Sequence, residues 1–338
     1  MRPLALPARI GGVLAGLVVL AGIVLWVVPS NDYIFLPDRA HPVAPLVHVQ
    51  GGHSPSGPGG IYFVDVFERK ANMLESLFPF IHSGATLYPS QEIVPAGSSD
   101  SEVRQADLQA MAISQQVAAA VALRRLGYHV VAVPDGVVVS QLLAGTHADG
   151  TLQPLDTVVA ADGTPTPTIA SLHRALARVR PGQAVTLRVR RGSKKLTLHL
   201  KTTPDPQDAK RAIVGFVPDQ GAAIKLPVHV SIDAGNIGGP SAGLAFALQV
   251  MEDLGRHLDR GYRVAATGEM ELNGTVAAIG GVKQKTYGAR AAKADVFLVP
   301  AAGDNAADAE KYAGKLKIIP VTSFGQALHA LASLPPKR

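Results

Sequence analysis

Residues 235–255 read GNIGGPSAGLAFALQVMEDLG, and this stretch decides much of the fold. Pro240 suits the first position of a helix, and nearly all the residues after it are apolar up to Gly255. We therefore expect a buried helix that begins at Pro240 or Ser241. A hydroxyl at that place lies beside unpaired backbone N–H groups at the positive end of the helix dipole, where a developing negative charge is stabilised. Ser241 is therefore a candidate nucleophile.

A second stretch, residues 266–285, reads ATGEMELNGTVAAIGGVKQK. Asn273-Gly274 is a strong hairpin signal, and we expect a helix after the hairpin that carries Lys283 and Lys285. A lysine with its usual pKa near ~10.4 is protonated at neutral pH, so it acts as a general base only where burial lowers that pKa. A serine in one motif and a lysine in the other suggest a Ser/Lys dyad. Taken singly, the motifs also fit a buried capping serine and a surface lysine.

The order P-S-A-G, then T-G-E, then G-G-V-x-x-K resembles the proteolytic domain of Lon proteases. The resemblance implies an α+β fold of the ribosomal protein S5 domain 2 type, with Ser241 as nucleophile and Lys285 as general base. It also implies that Thr267 orients the lysine ammonium by hydrogen bonding. Lys283 does not match the family lysine and, two residues away on a helix, would point elsewhere. The sequence departs from cytoplasmic Lon enzymes at Gly238, where they usually carry an acidic residue. It also lacks their ATPase module, and no G-x-x-x-x-G-K-[ST] phosphate loop is present.

Residues 128–204 resemble a bacterial PDZ domain. The resemblance lies in a strand, a D-x-V-x-x-x-D-G stretch at residues 156–163, a helix, a Pro-Gly turn and a final hairpin. The family usually has Gly before the first Asp of this stretch, where this chain has Leu155. PDZ domains bind extended peptides as an added strand at an open sheet edge. The residues that we expect near that edge are Asp135, Gly136, Val137 and Val138.

Residues 29–127 contain two apolar segments, PLVHVQ and GGIYFVDVFER, and a helix expected at residues 102–126. Their resemblance to the N-terminal half of the Lon-like fold implies that they form its first part and that residues 205–334 complete it. On this interpretation the PDZ-like domain is inserted into the Lon-like domain.

Residues 10–28, IGGVLAGLVVLAGIVLWVV, carry no charged residue. A helix of this length spans roughly the ~30 Å hydrocarbon core of a bilayer, so we expect a transmembrane helix. A cleaved signal peptide and a buried soluble helix are the alternatives. The apolar region of a signal peptide is usually only about 7–15 residues long and is followed by a small-residue cleavage site. Arg2 and Arg9 precede the segment, so the positive-inside rule puts residues 1–9 in the cytoplasm and the catalytic part outside the cell membrane.

The composition excludes several classes of function. The chain has 338 residues, 47% of them hydrophobic, and no Cys, which rules out disulfides, cysteine nucleophiles and Cys-ligated zinc. His41, His48 and His53 are spaced too loosely for a helical metal pair and no H-E-x-x-H occurs, so we expect no metal and no cofactor. The net charge of +6 would fall by five to +1 without the basic cluster of one hairpin, so we expect no nucleic-acid partner. This cluster, which fits a solvated turn or a contact with anionic lipid headgroups or wall polymers, consists of Arg188, Arg190, Arg191, Lys194 and Lys195.

The apolar segment, the PDZ-like domain and the Lon-like domain together resemble the bacterial membrane-anchored Lon-like proteases with a PDZ domain, the YlbL type. The resemblance implies an ATP-independent serine endopeptidase that cleaves unfolded, flexible or membrane-tethered polypeptides, which the PDZ-like domain presents or gates. A catalytically silent, peptide-binding scaffold at the membrane is the alternative. Lon-type domains commonly form rings, so a homo-oligomer is left open.

Overall fold

The computed structural model describes residues 6–53, 57–94 and 99–337, with the side chains of residues 6–13 left out. It is of the mixed α+β class, and its first helix is α1 (Leu6–Val27). The predicted membrane segment at residues 10–28 therefore lies partly outside the described side chains. Within the described part of the chain, no helix combines the length and the hydropathy that a membrane crossing requires.

Residues 29–125 form short strands followed by one long helix. The elements are β1 (Pro29–Pro37), β2 (His41–Pro42), β3 (Val47–Val49), β4 (Gly60–Phe63), β5 (Val66–Asn72), α2 (Met73–Leu77), β6 (Thr86–Pro89), α3 (Ser90–Ile93) and α4 (Asp100–Arg125). Strands β5, β1 and β6 form a small antiparallel sheet with β1 in the centre. Ser99 begins α4 with a capping box to Glu102. Gly127, at φ 88°, follows the end of α4, as the sequence predicts for a helix that stops there.

Residues 131–225 form the second unit, a sheet with one helix. The elements are β7 (Val131–Leu142), β8 (Thr157–Ala161), β9 (Thr164–Pro165), α5 (Ile169–Leu176), β10 (Ala184–Arg191), β11 (Lys194–Lys201), β12 (Thr203–Pro204), β13 (Ala212–Ile213) and β14 (Phe216–Lys225). The strand order is β11-β10-β8-β7-β14. Val185, Leu187 and Val189 alternate on β10 and are buried, so the predicted hairpin presents one face to a small core.

Residues 230–332 form, together with residues 29–125, the larger of the two units. The elements are β15 (Val230–Ile232), α6 (Gly243–Asp253), β16 (Arg263–Ala266), β17 (Glu269–Met270), β18 (Val276–Ala277), α7 (Val282–Ala291), β19 (Val296–Pro300), α8 (Asn305–Tyr312), β20 (Lys317–Val321) and α9 (Phe324–Ala332). Strands β2, β4, β16, β19 and β20 lie in this order in one sheet, and the last four run parallel. Parallel strands are buried on both faces, and every residue of β19 is buried.

The main hydrophobic core draws on residues from both sides of the PDZ-like segment. Phe63 of β4 and Met111 of α4 lie in one cluster with Phe246 of α6, Leu298 of β19 and Leu331 of α9. All residues of α6 are buried, because α6 lies against α4 and the sheet. The PDZ-like segment has a separate core. In chain order, it therefore interrupts the residues that build the main core.

Candidate active site

Ser241 lies in a turn just before α6, not inside the helix. The prediction that the helix begins at Pro240 or Ser241 is wrong by two or three residues, because α6 begins at Gly243 with Ala242 as its N-cap. The carbonyls of both residues are held from outside the helix. Ser114 Oγ of α4 donates to the Pro240 carbonyl at 2.8 Å, and the Gly268 N–H donates to the Ser241 carbonyl at 2.8 Å. The serine therefore sits on a turn that is braced from two neighbouring elements.

Helix α7 brings Lys285 to this turn. Its N-cap is Gly281 at φ 69°, a left-handed conformation that glycine adopts without strain. One helical turn later, Lys285 Nζ lies 2.6 Å from Ser241 Oγ and 3.3 Å from Thr267 Oγ1. Thr267 Oγ1 also donates to the Ser241 carbonyl at 3.1 Å. The structure thus brings together the three residues that the sequence singled out.

The surroundings of Lys285 are apolar enough to change its protonation. The side chain is only 3% exposed, and this burial lowers the pKa of Lys285 to about 7, against a smaller opposing effect of the Asp65 carboxylate. A substantial fraction of the amine is therefore neutral at pH 7. A neutral amine 2.6 Å from a hydroxyl can accept its proton.

Backbone donors lie at the serine as well. Gly239 N–H donates to the Asp107 carbonyl of α4 at 2.8 Å, and Gly243 N–H to the Pro240 carbonyl at 3.3 Å. Between them, the N–H groups of Ser241 and Ala242 have no acceptor among the residues that the structure describes. Unpaired N–H groups next to a nucleophile can stabilise an oxyanion.

Several polar residues near the motifs lie away from the dyad. Lys283 Nζ donates to the Ala85 carbonyl at 2.7 Å, so it points away from Ser241 as the sequence predicts. Asp233 Oδ1 accepts from the Gly235 N–H at 2.8 Å, which is the contact of a residue at the end of a strand. Glu269 is partly buried, and burial together with the charge of Glu271 raises its pKa.

The prediction of an open edge at residues 135–138 is wrong. Val137 pairs with Gln220 of β14 on one side and with Val158 of β8 on the other, so its backbone has a partner strand on both sides. The Asp135 carboxylate is bound by Arg190 at 2.7 Å, and Gly136 and Val138 also pair with β14. The outer strands of this sheet are β14, beside β7, and β11, and each has a single partner strand in the described part of the chain.

The sequence did not identify the groups that hold the turn before α6, or the carboxylate whose charge acts on Lys285. Ser114 and Asp107 belong to a helix whose predicted role was structural, yet they hold residues 239 and 240. Asp65 lies in the loop between β4 and β5, and its charge acts on Lys285. No local pattern marks these residues, because each contact joins segments more than 100 residues apart.

His41 lies close to two carboxylates. Its Nε2 is 3.5 Å from Asp38 and 3.9 Å from Asp65. The His41 side chain is 46% exposed, so this cluster of polar side chains is partly solvated. The predicted absence of a metal and of a cofactor stays a prediction.

Comparison with known proteins agrees with the division into two units. Residues 210–333 match the family described as the Lon protease (S16) C-terminal proteolytic domain. Residues 124–202 match the PDZ domain family. Among solved structures, the PDZ domain of an SdrC-like protein from Listeria monocytogenes is 20% identical, covering 25% of this chain and 87% of that one, but its TM-score of 0.23 carries no weight.

Curated relatives are similar to this chain over part of its length. Lon protease of Citrifermentans bemidjiense is 41% identical over 106 residues, which are 28% of this chain and 13% of that protein. Lon protease of Mesomycoplasma hyopneumoniae is 31% identical over 147 residues, which are 40% of this chain and 17% of that protein. The chain thus spans less than a fifth of the length of either relative. Residues 210–333 are thus similar to the proteolytic domain of the S16 serine proteases, and residues 124–202 are similar to PDZ domains.

Proposed function

We propose that this protein is an ATP-independent serine endopeptidase that acts through a Ser241/Lys285 dyad. The observation that carries the proposal is the 2.6 Å contact between Lys285 Nζ and Ser241 Oγ, made by a lysine that is 3% exposed. A surface lysine with an ordinary pKa would be a cation at neutral pH and would have no lone pair to offer. Burial of Lys285 removes that obstacle.

In the first half of the reaction, Lys285 Nζ takes the proton of the Ser241 hydroxyl as Oγ bonds to the carbonyl carbon of the substrate. The carbonyl oxygen becomes an oxyanion, which the free N–H groups of Ser241 and Ala242 stabilise. The C–N bond then breaks, and the leaving amine takes its proton from the Lys285 ammonium. An acyl-enzyme on Ser241 remains.

In the second half, a water molecule gives a proton to neutral Lys285 and attacks the acyl carbon. The bond to Ser241 Oγ breaks, and Oγ recovers a proton from the ammonium. Thr267 Oγ1 holds the lysine through both halves, because it lies 3.3 Å from Nζ and is itself fully buried.

We propose that the PDZ domain presents extended polypeptides along β14. Its outer edge has no partner strand in the described residues, and an extended chain can add to such an edge by backbone hydrogen bonds. Pro218 lies in β14, and proline is confined to edge strands because it has no N–H to donate. Beyond Lys225 the chain continues through β15 to the turn of Ser241. A peptide paired with β14 would therefore be bound to the part of the chain that precedes the turn of Ser241.

We also propose that residues 10–28 anchor the protein in the cell membrane, with the catalytic part outside the cytoplasm. The support is the uncharged sequence of this segment and the exposure of its apolar side chains, Leu17 at 56% and Val18 at 71% among them. An exposed apolar surface of this kind requires an apolar partner. No phosphate-loop motif occurs in this sequence, so we propose substrates that are already unfolded, flexible or tethered to the membrane.

The test is cleavage of dye-labelled β-casein, an unfolded substrate, by the full chain in detergent micelles without ATP. Ser241→Ala and Lys285→Met should each abolish cleavage. Two matched variants should retain it, Ser231→Ala on the exposed face of β15 and Lys283→Met two residues from the base. Undiminished cleavage by Ser241→Ala or Lys285→Met would refute the mechanism.

The alternative of a silent scaffold is tested separately. A fluorophosphonate probe reacts with an activated serine and not with an ordinary one. Labelling of the wild type and none of Ser241→Ala would exclude the scaffold. A protein that binds peptides but neither cleaves β-casein nor takes the probe would establish it.

A further inference from the structure

One face of α7 lies directly against the loop between β4 and β5. Gly281, Lys285 and Gly288 share this face, since they are separated by four and three residues on the helix. A Cβ atom at Gly281 would approach the Val66 side chain to 2.7 Å, and one at Gly288 would approach the Val64 side chain to 2.8 Å. Lys285 lies between these two contact points, and Asp65 lies between the two valines. The packing therefore brings the segment that carries Asp65 against the face of α7 that carries Lys285.

The Asp65 carboxylate has an oxygen atom that no neighbouring residue hydrogen-bonds in the described part of the chain. Its Oδ1 atom is buried and has no hydrogen-bond partner among the described residues. His41 Nε2, at 3.9 Å, is its only ion-pair contact in that part of the chain. Burial and the nearby Asp38 charge raise the pKa of Asp65, so the carboxylate is held at an energetic cost.

The lysine, for its part, has no close acid. Its two hydrogen-bond partners are the hydroxyls of Ser241, on the turn before α6, and Thr267, just after β16. An ammonium has three N–H donors, and no carboxylate lies within 4 Å of Nζ in the described part of the chain. Asp65 is the charged group that acts on it, from beyond contact distance.

We propose that Asp65 is a positioning residue of the reaction, a fixed negative charge that stabilises the Lys285 ammonium formed when Nζ takes the Ser241 proton. This inference rests on the proposed Ser/Lys function. The negative charge of Asp65 makes the Lys285 amine a stronger base. For the same reason, Lys285 of the free enzyme loses its proton only at higher pH. Asp65 touches neither the substrate nor Ser241, so it acts only through the lysine.

The removal of this charge therefore has two opposite effects. In Asp65→Asn, Lys285 loses its proton at lower pH. The acid limb of the profile, where activity rises with pH, should therefore shift to lower pH by about one pH unit. The activity at the alkaline plateau should fall, by about 10-fold, because the ammonium in the transition state is less stabilised. A role in folding alone would lower activity at every pH and leave the limb in place.

The experiment measures kcat/KM for a fluorogenic peptide between pH 5 and 10, using the full chain in micelles. The pH dependence of fluorophosphonate labelling of Ser241 gives the same limb without a peptide substrate. Asp38→Asn is the matched control, because Asp38 is a carboxylate of the same cluster and does not act on Lys285. Its limb should stay within about 0.2 pH units of the wild type, and Asp65→Glu should restore most of the wild-type profile.

Three results would overturn the inference. In the first, the acid limb of Asp65→Asn lies at the same pH as that of the wild type. In the second, Asp65→Asn and Asp38→Asn shift the limb equally. In the third, EDTA shifts the limb of the wild type, which would make the cluster a metal site. The failure of the proposed function is a different result. In that case the wild type shows no cleavage and no labelling, and it has no limb to shift.

Discussion

The replacement of Lys285 by methionine should destroy activity and at the same time stabilise the fold. Methionine fills a similar volume without a charge, so it leaves no large cavity. The folded state holds the pKa of Lys285 at about 7, against an ordinary value of 10.5. At 1.4 kcal/mol per pH unit, burial of the protonated lysine costs about 4–5 kcal/mol at neutral pH. The variant also loses the hydrogen bonds to Ser241 and Thr267, and each loss reduces the gain in stability by about 1 kcal/mol. We expect a net gain of about 2–3 kcal/mol.

The pH dependence of this gain has a definite sign. Between pH 7 and 10.5 the unfolded chain binds a proton on Lys285 that the folded chain does not bind. The wild type therefore becomes more stable as pH rises through this window, and its deficit relative to Lys285→Met shrinks by up to about 1.4 kcal/mol per pH unit. Below pH 7 both states are protonated, and the difference should be constant.

The assay is urea unfolding of the two proteins, followed by circular dichroism at 222 nm from pH 6 to 10. The signal reports mainly the larger unit, because α4, α6, α7, α8 and α9 belong to it and the PDZ unit has α5 alone among the described residues. A stability difference that does not change between pH 7 and 10 would refute the reasoning. So would a variant that is less stable than the wild type at pH 6.

Three further changes test other parts of the molecule. Thr267→Val removes the hydroxyl that lies 3.3 Å from Lys285 Nζ, so kcat should fall about 10- to 100-fold with little change in KM, measured on a peptide substrate. Gly281→Ala puts a Cβ at φ 69° against a valine and should displace α7, which a fluorophosphonate assay would register as slower labelling. Arg69 holds the pKa of buried Glu75 at about 2, so this carboxylate should stabilise the fold by about 3 kcal/mol above pH 4.5 and lose that contribution as pH falls towards 2. Glu75→Gln should therefore flatten the acid unfolding curve followed by circular dichroism.

The sequence was sufficient to pair Ser241 with Lys285, whose Oγ and Nζ atoms lie 2.6 Å apart, but not for the geometry around them. Ser241 and Lys285 are found from two short motifs and their order. The start of α6 was misplaced because Pro240 marks a helix start locally, whereas Ser114 and Gly268 hold the two carbonyls outside the helix. These partners lie 126 and 27 residues away, and no local pattern shows them.

The sheet edge was misplaced for a similar reason. Residues 216–225, FVPDQGAAIK, contain Pro and Gly and lack the alternation of a strand, so β14 has a weak sequence signal. The register that pairs Gln220 with Val137 joins segments more than 80 residues apart. Once β14 occupies that side of β7, residues 135–138 become the interior of the sheet. Asp65 shows the same limit, since its effect on Lys285 depends on how α7 packs.

The interrupted main core has a consequence for the order of events during synthesis. The PDZ unit takes its core from residues 137–216 and can collapse as soon as they have left the ribosome. The larger unit needs Phe63 and Leu331 in the same core, so it cannot close until about 115 residues beyond the PDZ core have been made. Lys285 becomes a base only in that closed core. On the proposed function, a nascent chain would thus have a folded peptide-binding unit before it has an active dyad, and it would not cut itself while it is still unfolded.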